Sequence, residues 1–119
     1  MFKIIMFVIK KASLSTAEFQ ALWAAHSQKV EDFKDVLNIR RYAKTFPLTD
    51  VHQLDTQRAT LPFTFDAMGE LWYDSKEDFV RARETEAGKY ALAILREDEK
   101  RFVDLARSVM WLGEEERII

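Results

Sequence analysis

Apolar residues at regular spacing predict four β-strands. Residues 2–9 are apolar at both alternating positions, which predicts a strand buried on both faces. Residues 36–44 and 65–73 predict a second and a third strand, each with one more apolar face. Residues 108–112 are again apolar at both positions, so the last predicted strand, like the first, needs cover on two sides.

A different spacing predicts two helical regions between these strands. In residues 15–34 the large apolar side chains recur every three or four positions, as on one face of a helix. Ser15 and Glu18 form the capping box that marks a helix start. A second helical region is predicted to begin at Ser75 and to be interrupted near Gly88. The apolar positions of the first helix are Phe19, Leu22, Trp23, Val30 and Phe33.

The order β-α-β-β-α-β predicts an α+β fold of the ferredoxin-like type, with one domain over residues 1–119. Two helices cover only one face of such a sheet, yet the first and last strands are apolar on both. A second copy of the sheet, packed across a two-fold axis, would cover the other face, so we expect a homodimer. Met68, Glu70 and Trp72 would then face the partner, with Arg41 as the expected ion-pair partner of Glu70.

The segment 45–64 contains Pro47 and Pro62 and has no clear apolar period. Its length predicts a mobile lid over a pocket between helices and sheet. His52 lies in it, with Asp50 and Asp55 close by, but the spacing matches no common metal motif. We therefore expect no metal site.

Composition excludes several classes of function. The net charge is −2 and the basic residues are scattered, which argues against nucleic-acid binding. The chain has no cysteine, so disulfides, thiolate metal sites and a cysteine nucleophile are excluded. The apolar run from Ile4 to Ile9 is too short for a membrane span or a signal peptide, and we expect a cytoplasmic protein without membrane contact. The sequence contains no glycine-rich phosphate loop, so we expect no nucleotide cofactor.

His26 is the first candidate for chemistry because it lies in the middle of the apolar stripe of the first helix. An imidazole that points inward needs hydrogen-bond partners, and its burial lowers its pKa, so it would be neutral near pH 7. A neutral imidazole is the state of a general base, but a core histidine with a satisfied partner has the same properties. The position of His26 alone leaves both interpretations open.

The third strand indicates where a pocket could lie. Ala67 and Gly69 leave a hollow at the centre of the strand face that also carries Phe65, Leu71 and Tyr73. A small residue there admits either a ligand or a bulky helix side chain such as Trp23. Tyr42 is predicted to point toward the helices, where its hydroxyl and a neutral His26 would make a proton-transfer pair.

Several segments together resemble the EthD family, whose members are dimeric α+β barrel proteins. The similar segments are FQALWAAHSQKV, IRRYAKTFPL, FDAMGELWYDSKEDF, ETEAGKYALA and RFVDLARSVMWLGEEERII. Methylmuconolactone isomerase, from the same superfamily, is similar in the same places. That resemblance implies His26 as a proton-transferring residue and Tyr42 as a pocket residue. The isomerase uses cysteines, and one of them lies at the position that matches Leu71. This chain has no cysteine.

The residues and the resemblance together lead to the hypothesis of a cofactor-independent enzyme of isomerase or lyase (decarboxylase) type. Its substrate would be a small aromatic, lactone or polyketide-like molecule. In this reading His26 and Tyr42 are catalytic, and the substrate-binding residues are Trp23, Arg40, Phe65, Ala67, Gly69 and Leu71. One alternative is a non-catalytic protein that binds a small hydrophobic or aromatic molecule. A second is a haem-binding or oxidative monooxygenase, in which His26 would be the iron ligand.

Overall fold

A computed structural model describes residues 1–49 and 58–119 and shows a four-stranded antiparallel sheet with helices on one face. The strands are β1 (Phe2–Val8), β2 (Arg41–Thr45), β3 (Ala67–Tyr73) and β4 (Val109–Glu114), in the sheet order β2-β3-β1-β4. The helices are α1 (Thr16–Asp32), α2 (Lys76–Ala82) and α3 (Glu86–Glu99). This is the ferredoxin-like α+β fold that the sequence predicts.

The register of the sheet separates a covered face from an open face. Phe2, Ile4 and Val8 of β1 point toward the helices and are buried. Met6 lies opposite Gly69 on the same face, between two apolar clusters that it joins. The core therefore lies between the helices and one face of the sheet.

The open face carries Lys3, Ile5 and Phe7 of β1 together with the alternate residues of β3. Lys3 forms an ion pair with Glu70 at 2.6 Å, where the sequence predicts Arg41 as the partner. The Arg41 guanidinium instead lies over the Trp72 ring, 4.3 Å from its centre. The expected Glu70–Arg41 pair is thus wrong, because Lys3 on the neighbouring strand reaches the carboxylate first.

The second strand is shorter than the predicted 36–44. Residues 34–38 form turns that end the α1 region, and Asn38 has a left-handed φ of 58°. The Ile39 amide donates to the Lys34 carbonyl at 2.8 Å, which closes this turn. Leu37 and Ile39 are buried, but their alternation comes from the helix-ending turn and not from a strand.

Gly88 marks the break between the second and third helices by a different mechanism from the one predicted. The chain leaves the helix at residues 83–85, and Gly88 lies inside the first turn of α3. A Cβ atom at Gly88 would overlap the carbonyl oxygen of Ala82. The glycine is therefore needed because the two helices approach closely, not because it ends a helix.

Two segments depart from a plain sheet-and-helix arrangement. In the described parts of the predicted lid, Phe46 packs against Trp23 on the covered side, whereas Phe63 packs against Phe7 on the open side. His52, Asp50 and Asp55 lie outside the described residues. Within the described ranges, no helix combines the length and the apolar character needed to span a membrane.

Candidate active site

His26 belongs to a buried hydrogen-bonded cluster between α1 and α3. Its Nδ1 atom lies 2.8 Å from Oδ2 of Asp98, and both residues are only 6% exposed. The second carboxylate oxygen of Asp98 accepts hydrogen bonds from Lys29 at 2.9 Å and from Arg101 at 2.8 Å. The ring of Phe102 packs edge-on against the imidazole. One carboxylate thus holds three nitrogen donors.

The surrounding charges fix the protonation states in this cluster. Burial raises the pKa of the Asp98 carboxyl, but hydrogen bonds from Lys29, Arg101 and His26 outweigh this effect and lower the pKa from 3.8 to about 2. Burial lowers the pKa of His26 below 6.5, and it outweighs the opposite influence of Asp98. Two permanent cations already balance Asp98, so the imidazole is neutral at pH 7.

A neutral His26 has one defined tautomer in this arrangement. Asp98 is ionised and can only accept, so Nδ1 of His26 carries the proton and donates it. The Nε2 atom is left with its lone pair, and no hydrogen bond within the described part of the chain uses it. This is the arrangement in which a carboxylate positions a histidine as a base.

The hollow predicted at Ala67 and Gly69 is filled by Trp23. A Cβ atom built on Gly69 would lie 3.1 Å from Cζ2 of the indole. Ala67 is fully buried in the same apolar cluster as Trp23. Of the two occupants that the sequence leaves open, the bulky helix side chain is the one present.

Tyr42 lies on the covered face, beside the other edge of Trp23. Its hydroxyl accepts a hydrogen bond from Nε1 of Trp23 at 2.9 Å and lies 3.1 Å from Oγ of Ser27. The Ser27 hydroxyl donates to the Trp23 carbonyl, so the Tyr42 hydroxyl is the donor to Ser27. Burial raises the pKa of Tyr42 above 10.0, which keeps the phenol protonated at neutral pH.

The structure brings only some of the predicted site residues together. Trp23, Tyr42 and Gly69 are in one cluster, with Leu71 paired to Tyr42 across the strands. His26 and Tyr42 share no direct hydrogen bond. Each has its own partners, on α3 and α1 respectively.

Two predicted binding residues lie elsewhere. Phe65 precedes β3 and packs against Phe7 on the open face, because the strand alternation begins only at Ala67. Placing Phe65 in the helix–sheet pocket was therefore wrong. Arg40 precedes β2 and forms an exposed ion pair with Asp74 at 2.8 Å, outside the covered cluster.

Asp98 is the functional candidate that the sequence reasoning missed. It lies on the same helical stripe as Ala91, Leu95 and Phe102, all of which are buried. His26 was selected because it is a polar residue on an apolar helical stripe. Asp98 is a polar residue on such a stripe too, so the spacing of apolar residues in α3 could have identified it. Ser27 and Lys44 carry no comparable signal.

Comparisons with known proteins agree with this architecture. The family model described as the EthD domain matches residues 11–106. An ethyl tert-butyl ether degradation (EthD) family protein from Bacillus halodurans is similar in structure, with 19% identity, coverage of 98% of this chain and 99% of that chain, and a TM-score of 0.63. No curated protein sequence matches the chain significantly.

Two further solved structures show the same fold at low identity. One is a dimeric protein of unknown function with a ferredoxin-like fold from Bacteroides fragilis, at 10% identity, with 96% and 95% of the two chains covered and a TM-score of 0.59. The other is a putative antibiotic biosynthesis monooxygenase from Nitrosomonas europaea, at 11% identity, with 97% and 98% covered and a TM-score of 0.58.

Proposed function

The chain belongs to the EthD family, and on that premise we propose that it is an enzyme that transfers protons without a cofactor on a small, largely apolar molecule. Its reaction would be an isomerisation or a decarboxylation of an aromatic, lactone or polyketide-like compound. The observation that carries the proposal is the hydrogen bond of 2.8 Å between Nδ1 of His26 and Asp98. His26 is the base, and Asp98 is the residue that positions it.

The chemistry follows from the protonation states. His26 takes a proton from a carbon next to a carbonyl group, and the electrons of the broken C–H bond move into an enolate. The imidazolium that forms is stabilised by the ionised Asp98, which cannot itself take the proton at neutral pH. Returning the proton to another carbon completes an isomerisation. In a decarboxylation, loss of CO₂ from the substrate carboxylate leaves a carbanion, and His26 passes to it a proton that the imidazole takes up from solvent.

Tyr42 is proposed as the hydrogen-bond donor to the substrate oxygen, to which its hydroxyl would turn the proton that it now donates to Ser27. Its raised pKa excludes a role as a base at neutral pH but suits a donor to a developing oxyanion. Trp23, Leu71 and the small residues of β3 are proposed to shape the apolar wall of the site. Access to that wall requires Trp23 to move away from Gly69, since the indole now contacts it.

Exchange of substrate protons with solvent tests the proposal without knowledge of the complete reaction. Methylmuconolactone, together with small β-keto acids and phenolic acids, is incubated with the protein in D₂O and followed by NMR. The wild-type chain is expected to catalyse deuterium incorporation into at least one of them. His26→Ala should lower the rate by about 100-fold or more.

Variants of Asp98 separate positioning from proton transfer. Asp98→Asn should lower the exchange rate less than His26→Ala does and should shift its pH profile, because the amide no longer stabilises the imidazolium. Glu97→Gln, an exposed neighbour on α3, is the matched control and should leave rate and profile unchanged. Equal rates for wild type and His26→Ala, or no exchange in any compound, would overturn the proposal.

A non-catalytic binding protein is the second candidate, and the filled hollow above Gly69 favours it. It would bind the same compounds with no exchange, and replacement of His26 would leave the affinity unchanged. Consumption of oxygen with one of these compounds would instead indicate a monooxygenase, the activity named for the structure from Nitrosomonas europaea.

We further propose that the open face of the sheet is covered by a second copy of the chain, as a dimeric α+β barrel. Val109 and Trp111 point to this face from β4 and are 47% and 59% exposed. An apolar edge strand left in this state is an aggregation hazard that a partner sheet removes. Two of the solved structures of similar fold, from Bacteroides fragilis and Thermobifida fusca, are dimeric.

Sedimentation at micromolar concentration tests the dimer. Met68→Glu places a new carboxylate on the open face, opposite Phe7, and should weaken association, since burying an unpaired charge costs several kcal/mol. Tyr90→Glu changes an equally apolar but exposed residue on the far side of the molecule and should leave the dimer intact. If the wild-type protein sediments as a monomer, this part of the proposal is contradicted.

A further inference from the structure

A groove of about 390 Å³ runs between α1 and the edge strand β2. This volume lies within the range of small-molecule sites. Its wall combines apolar side chains with hydroxyl and cationic groups. The wall residues used below are Ala24, Ser27, Val30, Ile39, Tyr42 and Lys44.

Lys44 is the unusual member of this groove because it is half-buried without a compensating charge. No carboxylate of the described residues lies within ion-pair distance of its Nζ atom. The ammonium group lies 5.4 Å from the centre of the Trp23 ring and 5.9 Å from that of Phe46. Burial lowers the pKa of Lys44 below 10.5, with no opposing contribution from an acid. A partly buried lysine normally has a carboxylate partner.

The other cations at the groove are already engaged or lie at its rim. Arg40 is paired with Asp74, and Arg41 lies over Trp72. Lys34 is exposed to solvent at the lip, next to the exposed Glu31. Among residues 1–49 and 58–119, the positive charge that remains unbalanced inside the groove is therefore that of Lys44.

Two hydroxyl groups lie on the same side as Lys44. Tyr42 precedes Lys44 by two residues on β2, so their side chains project from the same face of the strand. The Tyr42 hydroxyl is 3.1 Å from that of Ser27, across the groove on α1. The groove thus ends in one cation and two hydroxyl groups, with Val30 and Ile39 supplying apolar surface. The Ser27 proton is held by the Trp23 carbonyl, whereas the Tyr42 proton is given only to Ser27 and can turn toward a ligand.

We propose that this groove binds a small organic acid, with its carboxylate on Lys44 and its apolar body against Val30 and Ile39. The Tyr42 hydroxyl would turn its proton from Ser27 to an oxygen of the same molecule. The inference rests on the proposed function and deepens it, because it names the substrate class as a carboxylic acid. Lys44 would supply the charge-assisted bond that an anion needs when it leaves water, and the Tyr42 hydroxyl would supply a further hydrogen bond.

The position of Lys44 also links the groove to His26. Its charge is one of those that lower the pKa of His26, together with that of Lys29 on α1, whereas Asp98 on α3 acts in the opposite direction. A carboxylate bound at Lys44 would offset part of this lysine's effect. Substrate binding would then make His26 a stronger base, which is the direction that proton abstraction requires.

Binding of benzoate, with neutral benzamide as its isostere, tests the proposal. Benzoate should bind wild-type protein saturably in a calorimetric titration and shift the amide resonances of Ser27, Tyr42 and Lys44 in NMR spectra. The affinity of benzamide should be lower than that of benzoate by about 10-fold or more, since benzamide lacks the negative charge. This comparison needs no variant, so its outcome does not depend on how a substitution folds.

Variants then locate the charge that is responsible. Lys44→Met should weaken benzoate binding by about 10-fold and leave benzamide binding unchanged, whereas Lys44→Arg should retain most of the affinity. Lys76→Met, which removes an exposed lysine at the start of α2, is the matched control and should bind like wild type. Equal affinities for the acid and the amide, no benzoate binding, or an unchanged Lys44→Met would overturn the proposal.

The two proposals fail separately. His26→Ala should keep its affinity for benzoate even though it loses proton exchange, so binding without exchange contradicts the proton-transfer function alone. If deuterium exchange persists with neutral substrates and in Lys44→Met, only the proposed carboxylate site at Lys44 is contradicted.

Discussion

The two polar clusters on either side of Trp23 are stabilised in different ways. At His26 the partner is a buried carboxylate that two further cations hold ionised, and every contact is charge-assisted. At Tyr42 the contacts are neutral hydrogen bonds, and the nearby Lys44 has no acidic partner among the described residues. The first cluster is complete in charge, with only Nε2 of His26 left unbonded, whereas the second leaves a charge that no described residue balances and that a ligand can.

The difference indicates a separate functional role for each cluster. A complete network around His26 fixes one tautomer and one orientation of the ring, which is what a positioned base needs. An incomplete network at the groove keeps binding free energy for a ligand instead of using it within the fold. Four measurements test the contrast, in order of expected effect.

Removing the carboxylate of the complete cluster should have the largest effect on stability. The lowering of the Asp98 pKa from 3.8 to about 2 corresponds to about 2 kcal/mol of stability at pH 7. Asp98→Asn should therefore lower the free energy of unfolding by roughly 2 kcal/mol in urea titrations, since the buried His26 loses its charged partner and the neutral amide attracts Lys29 and Arg101 only weakly. Glu97→Gln, whose ion pair with Lys100 is exposed, should change it by less than about 0.5 kcal/mol.

The same pair of proteins gives a test by acid. A carboxyl whose folded pKa is lowered stabilises the fold above its unfolded pKa, and the stabilisation is lost as the pH falls through the folded value. The difference between wild type and Asp98→Asn should thus shrink between about pH 4 and pH 2. A constant difference over this range would show that Asp98 does not act through its charge.

Crowding the indole that separates the two clusters should have an intermediate effect. In Gly69→Ala the new methyl group would lie 3.1 Å from Cζ2 of Trp23, so the indole must shift and strain its bond to Tyr42. The expected cost is about 1 kcal/mol in thermal or chemical unfolding. Gly113→Ala, on the edge strand β4, meets only Nε1 of Trp111 at 4.0 Å and should be nearly neutral. Equal costs for the two variants would contradict the close contact.

The protonation of His26 should give the smallest effect. Its folded pKa lies below 6.5, so the unfolded chain binds a proton more readily than the folded chain does. The free energy of unfolding should therefore decrease as the pH falls from 7 through 6.5, and His26→Asn should lose this part of the decrease. The chain has two histidines, and His52→Asn is the control that should keep it. A steeper decrease in His26→Asn would mean that the sign of the pKa shift is opposite.

The periodic elements of this fold could be predicted because each is marked by its own side chains. The capping box of Ser15 and Glu18 forms as the sequence indicates, with Ser15 bonded to the Glu18 amide at 3.1 Å. The start of β2 could not be predicted in the same way. Leu37 and Ile39 alternate as in a strand, yet a left-handed Asn38 between them belongs to a turn. Burial, not strand geometry, selects the two apolar residues there.

The candidate site was less predictable because its partners are distant in sequence. The inward position of His26 follows from the helical period, but its bond to a residue 72 positions later depends on how α3 packs on α1. Whether a ligand or Trp23 fills the space over Gly69 depends on a side-chain rotamer, which periodicity does not determine. The residues before a strand, such as Phe65, are equally poorly defined by alternation.

The central position of β1 has a consequence for how the protein is made. Phe2 pairs with Tyr73 on one side and with Glu114 on the other. β1 therefore waits for partners that are synthesised later than itself, and its apolar faces and unpaired edges stay open in the meantime. Closing contacts this distant in sequence is slow, and during synthesis a chain in this condition is exposed to aggregation. We expect chaperones that bind short apolar segments to engage residues 2–9 on nascent chains until β4 has emerged.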